Sequence, residues 1–189
     1  MSKPFYTIGI GASAGGQRAL IAFLEKLSPN VKAAIVIVTH LMRERKSILT
    51  QILSRYSAMP ISRVEKNTEL QPGHIYVMIE NTELEVKGGW LKVKPRNLSF
   101  KNSAVDIFFR SLADDFGDKA IGIVLSGGGN DGLTGTLKIN QKGGKVLVQD
   151  PNTADVDGMP ESVIQYDHPL QILSPAQIAA EINQWCNAT

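Results

Sequence analysis

The sequence predicts a doubly wound α/β fold: a mostly parallel sheet with helices on both faces and a small antiparallel hairpin. Three observations predict it. Two runs, AAIVIVT at 33–39 and AIGIVL at 120–125, are apolar without interruption, as strands buried on both faces of a parallel sheet are. Segments with apolar residues at helical spacing alternate with such runs along most of the chain. In the middle, short strands flank Gly88-Gly89, a pair suited to a hairpin turn.

The elements follow in order. Residues 5–10 form an apolar run closing on glycine, the first strand. From Gly16 the pattern is helical, with Leu20, Phe23, Leu24 and Leu27 on one face until Ser28-Pro29 stops it. Residues 33–39 are the second strand, and 47–55 read as a helix ended before Met59-Pro60. HIYVM (74–78), ELEV (83–86) and WLKV (90–93) read together as an antiparallel insertion. Residues 97–105 are polar and read as loop. Val105, Phe108, Phe109 and Leu112 then mark a helix with a narrow apolar face. A strand at 120–125, the glycine loop SGGGNDG, a helix at 133–142 and the strand KVLVQ (145–149) restore the alternation. After the loop DPNTADVDGMP come a short helix at 161–166 and a last one at 175–185. No repeat or low-complexity segment interrupts the chain, so residues 1–189 are read as one domain with one sizeable core.

Composition narrows the function classes. The net charge is +2, and the loose cluster Arg43, Arg45, Lys46 reads as a solvated helix entrance. No nucleic acid is expected as a partner. Cys186 is the only cysteine and has no internal disulfide partner, which fits a reducing, cytoplasmic setting. The apolar run at the start is too short for a secretory leader. No stretch approaches the roughly 20 apolar residues that span a bilayer, so no stable membrane insertion is expected. Three histidines and one cysteine at wide spacing form no zinc pattern, and no metal is expected.

In sheets of this kind ligands bind beyond the carboxyl ends of the strands. That rule selects four loops: GASAGG, HLMRER, SGGGNDG and DPNTADVDGMP. Ser13 in the first admits three readings. It suits the N-cap of the following helix. The stretch also fits a dinucleotide fingerprint, G-x-G-x-x-A, but that requires an acidic residue about 20 positions on. The second strand ends in Thr39-His40-Leu41, without one. A nucleotide- or anion-binding module is therefore a remote alternative. The third reading is a nucleophile, since residues 11–15 satisfy G-x-S-x-G at a strand-to-helix turn.

A lone histidine at a strand end is commonly structural, yet His40 follows Ser13 by about one βαβ unit, which places both on the same rim. Imidazole is the usual proton acceptor for a serine hydroxyl because its pKa lies near neutrality. Asp131 suits the N-cap of its own helix, and equally a carboxylate orienting the histidine. Gly127, Gly128 and Gly129 turn tightly and expose N–H groups, a candidate oxyanion site. Ala14 and Met159 complete the oxyanion and substrate-loop candidates. Asp150, Asp155 and Asp157 are irregularly spaced around Pro151 and make a poor calcium loop. His74 and His168 read as structural or surface residues.

These motifs carry a family resemblance. IGIGASAGGQRAL, IVIVTHL, DIFFRSLA, GIVLSGGGNDG, GGKVLVQDPNTA and GMPESVI resemble, in order from Tyr6 to Leu173, the catalytic domain of chemotaxis protein-glutamate methylesterases, the CheB type. The resemblance implies the same α/β fold with an antiparallel hairpin. It implies a cytoplasmic serine hydrolase of glutamyl methyl esters on chemoreceptor helices, with deamidation of receptor glutamines as a second activity and no cofactor. By position, Ser13 corresponds to the nucleophile, His40 to the general base and acid, and Asp131 to the histidine's partner. The partners implied are methylated chemoreceptor cytoplasmic helices, with a separate regulatory protein as a further class. The chain departs from the family in three ways. The family usually carries an N-terminal receiver domain, and none is expected in this chain. The position three before the aspartate, often methionine or threonine, is Gly128. The segment after HIYVM usually contains prolines and here reads Ile79-Glu80-Asn81-Thr82. A related Ser-His-Asp hydrolase or deamidase acting on a non-chemoreceptor protein is the alternative.

Overall fold

The structure, a computed structural model, describes residues 4–40, 46–97 and 99–187. Its elements are β1 (Tyr6–Ala12), α1 (Gly16–Leu24), β2 (Ala33–Thr39), α2 (Leu49–Leu53), β3 (Ile61–Val64), β4 (Thr68–Glu69), β5 (His74–Met78), β6 (Thr82–Lys87), β7 (Trp90–Pro95), α3 (Ala104–Phe116), β8 (Ala120–Val124), α4 (Leu133–Gln141), β9 (Lys145–Gln149), α5 (Gly158–Tyr166), β10 (Gln171–Leu173) and α6 (Pro175–Asn187). Seven strands form one sheet in the order β10-β9-β8-β1-β2-β5-β3, with every neighbouring pair parallel. A separate antiparallel sheet has the order β4-β7-β6. The doubly wound α/β class holds.

One strand is placed differently from expectation. HIYVM is not part of the antiparallel insertion. It is β5, a parallel strand of the main sheet, because both its faces are buried: Ile75 and Val77 join the core on the α1 side, Tyr76 and Met78 the core on the α3 side. The insertion is accordingly a three-stranded sheet built from β6, β7 and the short β4. The edge strands β3 and β10 escape the sequence pattern, being short and only partly buried. The polar segment before α3 ends at Ser103, since Ala104 and Val105 are already helical. Helix α5 begins at Gly158, with Pro160 in its first turn, where proline is tolerated.

The sheet divides two cores. One packs β1, β2 and β8 against α1, α2 and α6, and the other packs the opposite face against α3, α4, α5 and the small sheet. Within β1, Ile8 and Ile10 face the first core while Gly9 and Gly11 face the second. A Cβ on Gly9 would lie 2.9 Å from the rings of Phe108 and Phe109, and one on Gly11 would overlap Val105. Strand β1 thus presents bare backbone where α3 crosses it, and α3 closes on the sheet. The strand order reverses at β1. The chain runs from β1 to the β2 side and later crosses to β8, so the tips of β8, β1 and β2 stand side by side at the switch point.

Candidate active site

Those three tips carry Ser13, His40 and Asp131. Register sets their spacing: Ala12 pairs with Thr39, and Gly11 pairs with Val124. Ser13 Oγ lies 3.4 Å from His40 Nδ1. His40 Nε2 lies 2.7 Å from Asp131 Oδ2. The Asp131 side chain is 4% exposed and that of His40 22%.

The tautomer follows from what Asp131 already accepts. Its Oδ2 takes the Val105 N–H at 3.0 Å and its Oδ1 the Asp106 N–H at 2.9 Å. Both are first-turn donors of α3, where the helix dipole favours negative charge. A carboxylate held by donors on both oxygens is an acceptor for Nε2–H. His40 then carries its proton on Nε2 and turns the Nδ1 lone pair toward Ser13.

Asp131 therefore does not cap its own helix. It caps α3, and Asp106 of α3 returns the favour to α4, accepting the Gly135 N–H at 2.8 Å. Two helices exchange caps across the site. Burial raises the Asp106 carboxyl above its ordinary range, the Asp131 charge adds to that, and the Gly135 N–H opposes it. Close approach permits the exchange, since a Cβ on Gly135 would overlap Phe109 of α3.

Ser13 is not a helix cap either. The N-cap of α1 is Gly15, with φ +73°, and no side chain caps that end. The serine N–H is tied to the Ser126 carbonyl at 2.9 Å, which leaves its hydroxyl free to face His40. Ser126, 1% exposed, ties three loops together. Its Oγ donates to the Ala14 carbonyl at 2.8 Å and accepts the Val156 N–H at 3.0 Å. Its N–H donates to Gln149 Oε1 at 2.8 Å, and Gln149 in turn holds the Thr153 carbonyl. In the sequence Ser126 reads only as the start of a glycine loop. Its role as a hub depends on groups far apart in the chain, and only the strictly small stretch around it hints at a crowded position.

The expected oxyanion and substrate-loop candidates separate. The Gly127 N–H donates to the Val156 carbonyl at 2.9 Å, so it is not available to an oxyanion. Its role is spatial: a Cβ there would overlap the Met159 sulfur and lie 3.0 Å from Ser13 Cβ. Met159 is 0% exposed, packs against Gly127 and donates its N–H to the Gly127 carbonyl at 2.8 Å. Gly128 and Gly129 are exposed at the rim. Ala14 follows the serine and is exposed, and among the described residues its N–H meets no acceptor.

Ser13 and His40 open onto a cleft of about 190 Å³ between α1 and α2. Leu20, Leu49 and Ile52 give it apolar walls, and Ile48 stands 60% exposed at its mouth. The outer wall is fastened by Arg63 and Glu80, which sequence reasoning did not single out as site residues. Arg43 and Arg45 lie outside the described residues. In the fourth loop, Asp155 pairs with Arg18 at 3.0 Å and Asp150 caps its own turn through the Asn152 N–H. Among the described residues no group of acidic, histidine or cysteine side chains is arranged to hold a metal, and no helix is long and apolar enough to cross a membrane. His74 pairs with Ser62 at 2.9 Å at the far end of the sheet, where burial lowers its pKa. His168 is exposed. A larger cavity of about 490 Å³ lies at that far end, beside Tyr6, Lys119 and Trp185. It contains none of the expected site residues. Burial pushes the Cys186 thiol there up to about 11, so it is no thiolate nucleophile.

The CheB methylesterase family matches residues 8–182. A Leptospira interrogans protein whose name carries two activities, protein-glutamate methylesterase and protein-glutamine glutaminase, is 32% identical over 178 residues, covering 93% of this chain and 92% of that protein. A Burkholderia pseudomallei protein-glutamate methylesterase/protein-glutamine glutaminase is also 32% identical, but the chain spans only 52% of its length. The crystal structure of the Thermotoga maritima CheB methylesterase catalytic domain superposes with a TM-score of 0.88 at 27% identity, over 97% of this chain and 100% of that one.

Proposed function

Because the chain belongs to the CheB methylesterase family, we propose that it is a serine hydrolase of glutamyl methyl esters on the cytoplasmic helices of chemoreceptors, and that it also deamidates glutamines there. Ser13 is its nucleophile, His40 its general base and acid, and Asp131 the group that orients and charge-balances His40. The observation that carries this reading is the relay from Ser13 Oγ through the Nδ1 and Nε2 atoms of His40 to Asp131, at 3.4 Å and 2.7 Å. The short link lies on the aspartate side. The longer one suits a resting site, where such contacts tighten on substrate binding.

The steps follow from the atoms present. As Ser13 Oγ attacks the ester carbonyl, its proton passes to His40 Nδ1. Imidazolium is then held between the serine oxygen and the Asp131 side chain, whose oxygens keep their two backbone N–H bonds. The Ala14 N–H, next to the nucleophile and exposed, is the oxyanion donor in this reading. One such donor lowers the barrier by about 3–4 kcal/mol. His40 returns its proton to the departing methoxide, and methanol leaves. Water, deprotonated by the same Nδ1, hydrolyses the acyl-enzyme to a glutamate carboxylate and regenerated serine. With a glutamine side chain the leaving group is ammonia and the remaining steps are unchanged.

Methanol release from a methylated chemoreceptor fragment tests the reading. Wild type releases methanol, and Ser13→Ala does not. Equal rates in the two remove Ser13 as nucleophile. Turnover of a generic p-nitrophenyl ester without turnover of methylated receptor would place the enzyme on another protein substrate.

A further inference from the structure

The cleft beside Ser13 has an outer wall, Ser47 and Ile48, that is fastened from behind. Glu80, two residues beyond β5, accepts the Ser47 N–H on Oε1. Arg63, in β3, donates from Nη1 to the Ser47 carbonyl at 3.0 Å and from Nη2 to Glu80 Oε2 at 2.9 Å. One ion pair thus takes both backbone polar groups of a single residue. Its side chains are only 19% and 11% exposed. Ser47 Oγ then accepts the Leu49 N–H at 3.1 Å and starts α2. That helix has five residues, too few to hold itself in place.

A largely buried ion pair is weak evidence for stability, because desolvation offsets much of the attraction. What this pair fixes is a position. Burial works to raise the Glu80 carboxyl, but hydrogen bonds from Arg63 and the Ser47 N–H outweigh it and leave the group below its ordinary range. The residue displayed by the fastened segment is Ile48, apolar, 60% exposed and part of the cleft that Ser13 and His40 share. On this side of the cleft an exposed isoleucine beside Leu49 and Ile52 suits an aliphatic side chain, while the polar groups, Gln17, Thr39 and the catalytic pair, lie along β2 and α1.

We propose that Glu80 and Arg63 are positioning residues that hold Ile48 as a fixed wall, against which an aliphatic side chain of the protein substrate docks beside the scissile ester. The identity of that substrate rests on the methylesterase reading. The fastening of Ser47 does not.

The test uses the full chain with a methylated receptor peptide and p-nitrophenyl acetate. Glu80→Ala and Ile48→Ala each raise KM for the peptide about tenfold, the loss expected of one apolar contact. In both, kcat for the peptide falls far less than kcat/KM, and turnover of the small ester, which lacks that side chain, falls less than turnover of the peptide. The double variant is no worse than either single one, because both remove the same wall. Ile48→Ala alters an exposed side chain and folds even if Glu80→Ala does not. A fall in kcat at unchanged KM, equal losses on both esters, or additive effects in the double variant would overturn the proposal. Amide hydrogen exchange at Ser47 separates this outcome from failure of the methylesterase reading. Faster exchange in Glu80→Ala upholds the fastening even if the peptide is not a substrate, and unchanged exchange refutes it.

Discussion

The two sides of the cleft are held by different chemistry. On the catalytic side Asp131 sits between two backbone N–H groups of α3, and α3 lies where it does because Gly9 and Gly11 leave β1 bare. On the other side Ser47 and Ile48 are held by two side chains, Arg63 and Glu80. Backbone donors come with the fold, and no substitution at α3 short of proline removes them. A side-chain clamp disappears with one substitution. The difference separates reaction from selection: the carboxylate that ends the relay is anchored by backbone donors, and the outer wall of the cleft by side chains that can change without disturbing the relay.

Substitutions on the catalytic side have the largest expected effects and strike kcat. Ser13→Ala lowers kcat by about 10⁴-fold or more in methanol-release assays, with the melting temperature unchanged, since the Ser13 hydroxyl caps no helix. Asp131→Asn comes next, at about 10³- to 10⁴-fold in kcat with little change in KM. The amide can donate to Nε2 and so favours the wrong tautomer, with Nδ1 protonated toward Ser13. Gly11→Ala forces a methyl into Val105 and shifts the first turn of α3. It is expected to lower unfolding stability by about 1–3 kcal/mol in denaturant titrations and to reduce kcat along with it. If it changes stability alone, α3 does not govern the position of Asp131.

The smallest effect sharpens the comparison from the other side. Glu80 is held below its ordinary range while Arg63, itself flanked by Glu65, remains charged. A carboxyl with a lowered folded pKa contributes above its unfolded value, and the contribution is lost as pH falls through the folded one. KM for the peptide is therefore flat above the ordinary glutamate value of about 4.3 and rises only below it. In Glu80→Ala that rise is absent, as followed by steady-state kinetics across the acid range. A KM that climbs equally in both proteins would assign the change to another group.

Much of this was legible in the sequence because strand tips are. Uninterrupted apolar runs identify parallel strands, and the rule that such sheets bind at their carboxyl ends brings Ser13, His40 and Asp131 together from separate loops. What escaped was of another kind. Asp131 and Asp106 cap each other's helices, and a reciprocal cap has no local signature, because each residue alone resembles an ordinary cap of its own helix. Ser126 holds groups on three loops and looks like one more small residue in a glycine run. HIYVM belongs to the main sheet although polar, alternating strands follow it, and pairing with β2 is decided by tertiary burial. Arg63 lies in ISRV, an edge strand too short and polar to be recognised. Its partner Glu80 was visible only as a departure from a proline-containing segment, with nothing local to say what it reaches.

The relay from Ser13 to Asp131 is tested most directly by covalent labelling. A fluorophosphonate reacts with a serine only where a neighbouring base takes the hydroxyl proton as fluoride leaves. Intact-mass and peptide analysis of the wild-type chain should show one phosphonyl group, on Ser13, and His40→Ala should show almost none under the same conditions. Labelling at another serine, or equal labelling of Ser13 without His40, would contradict the relay.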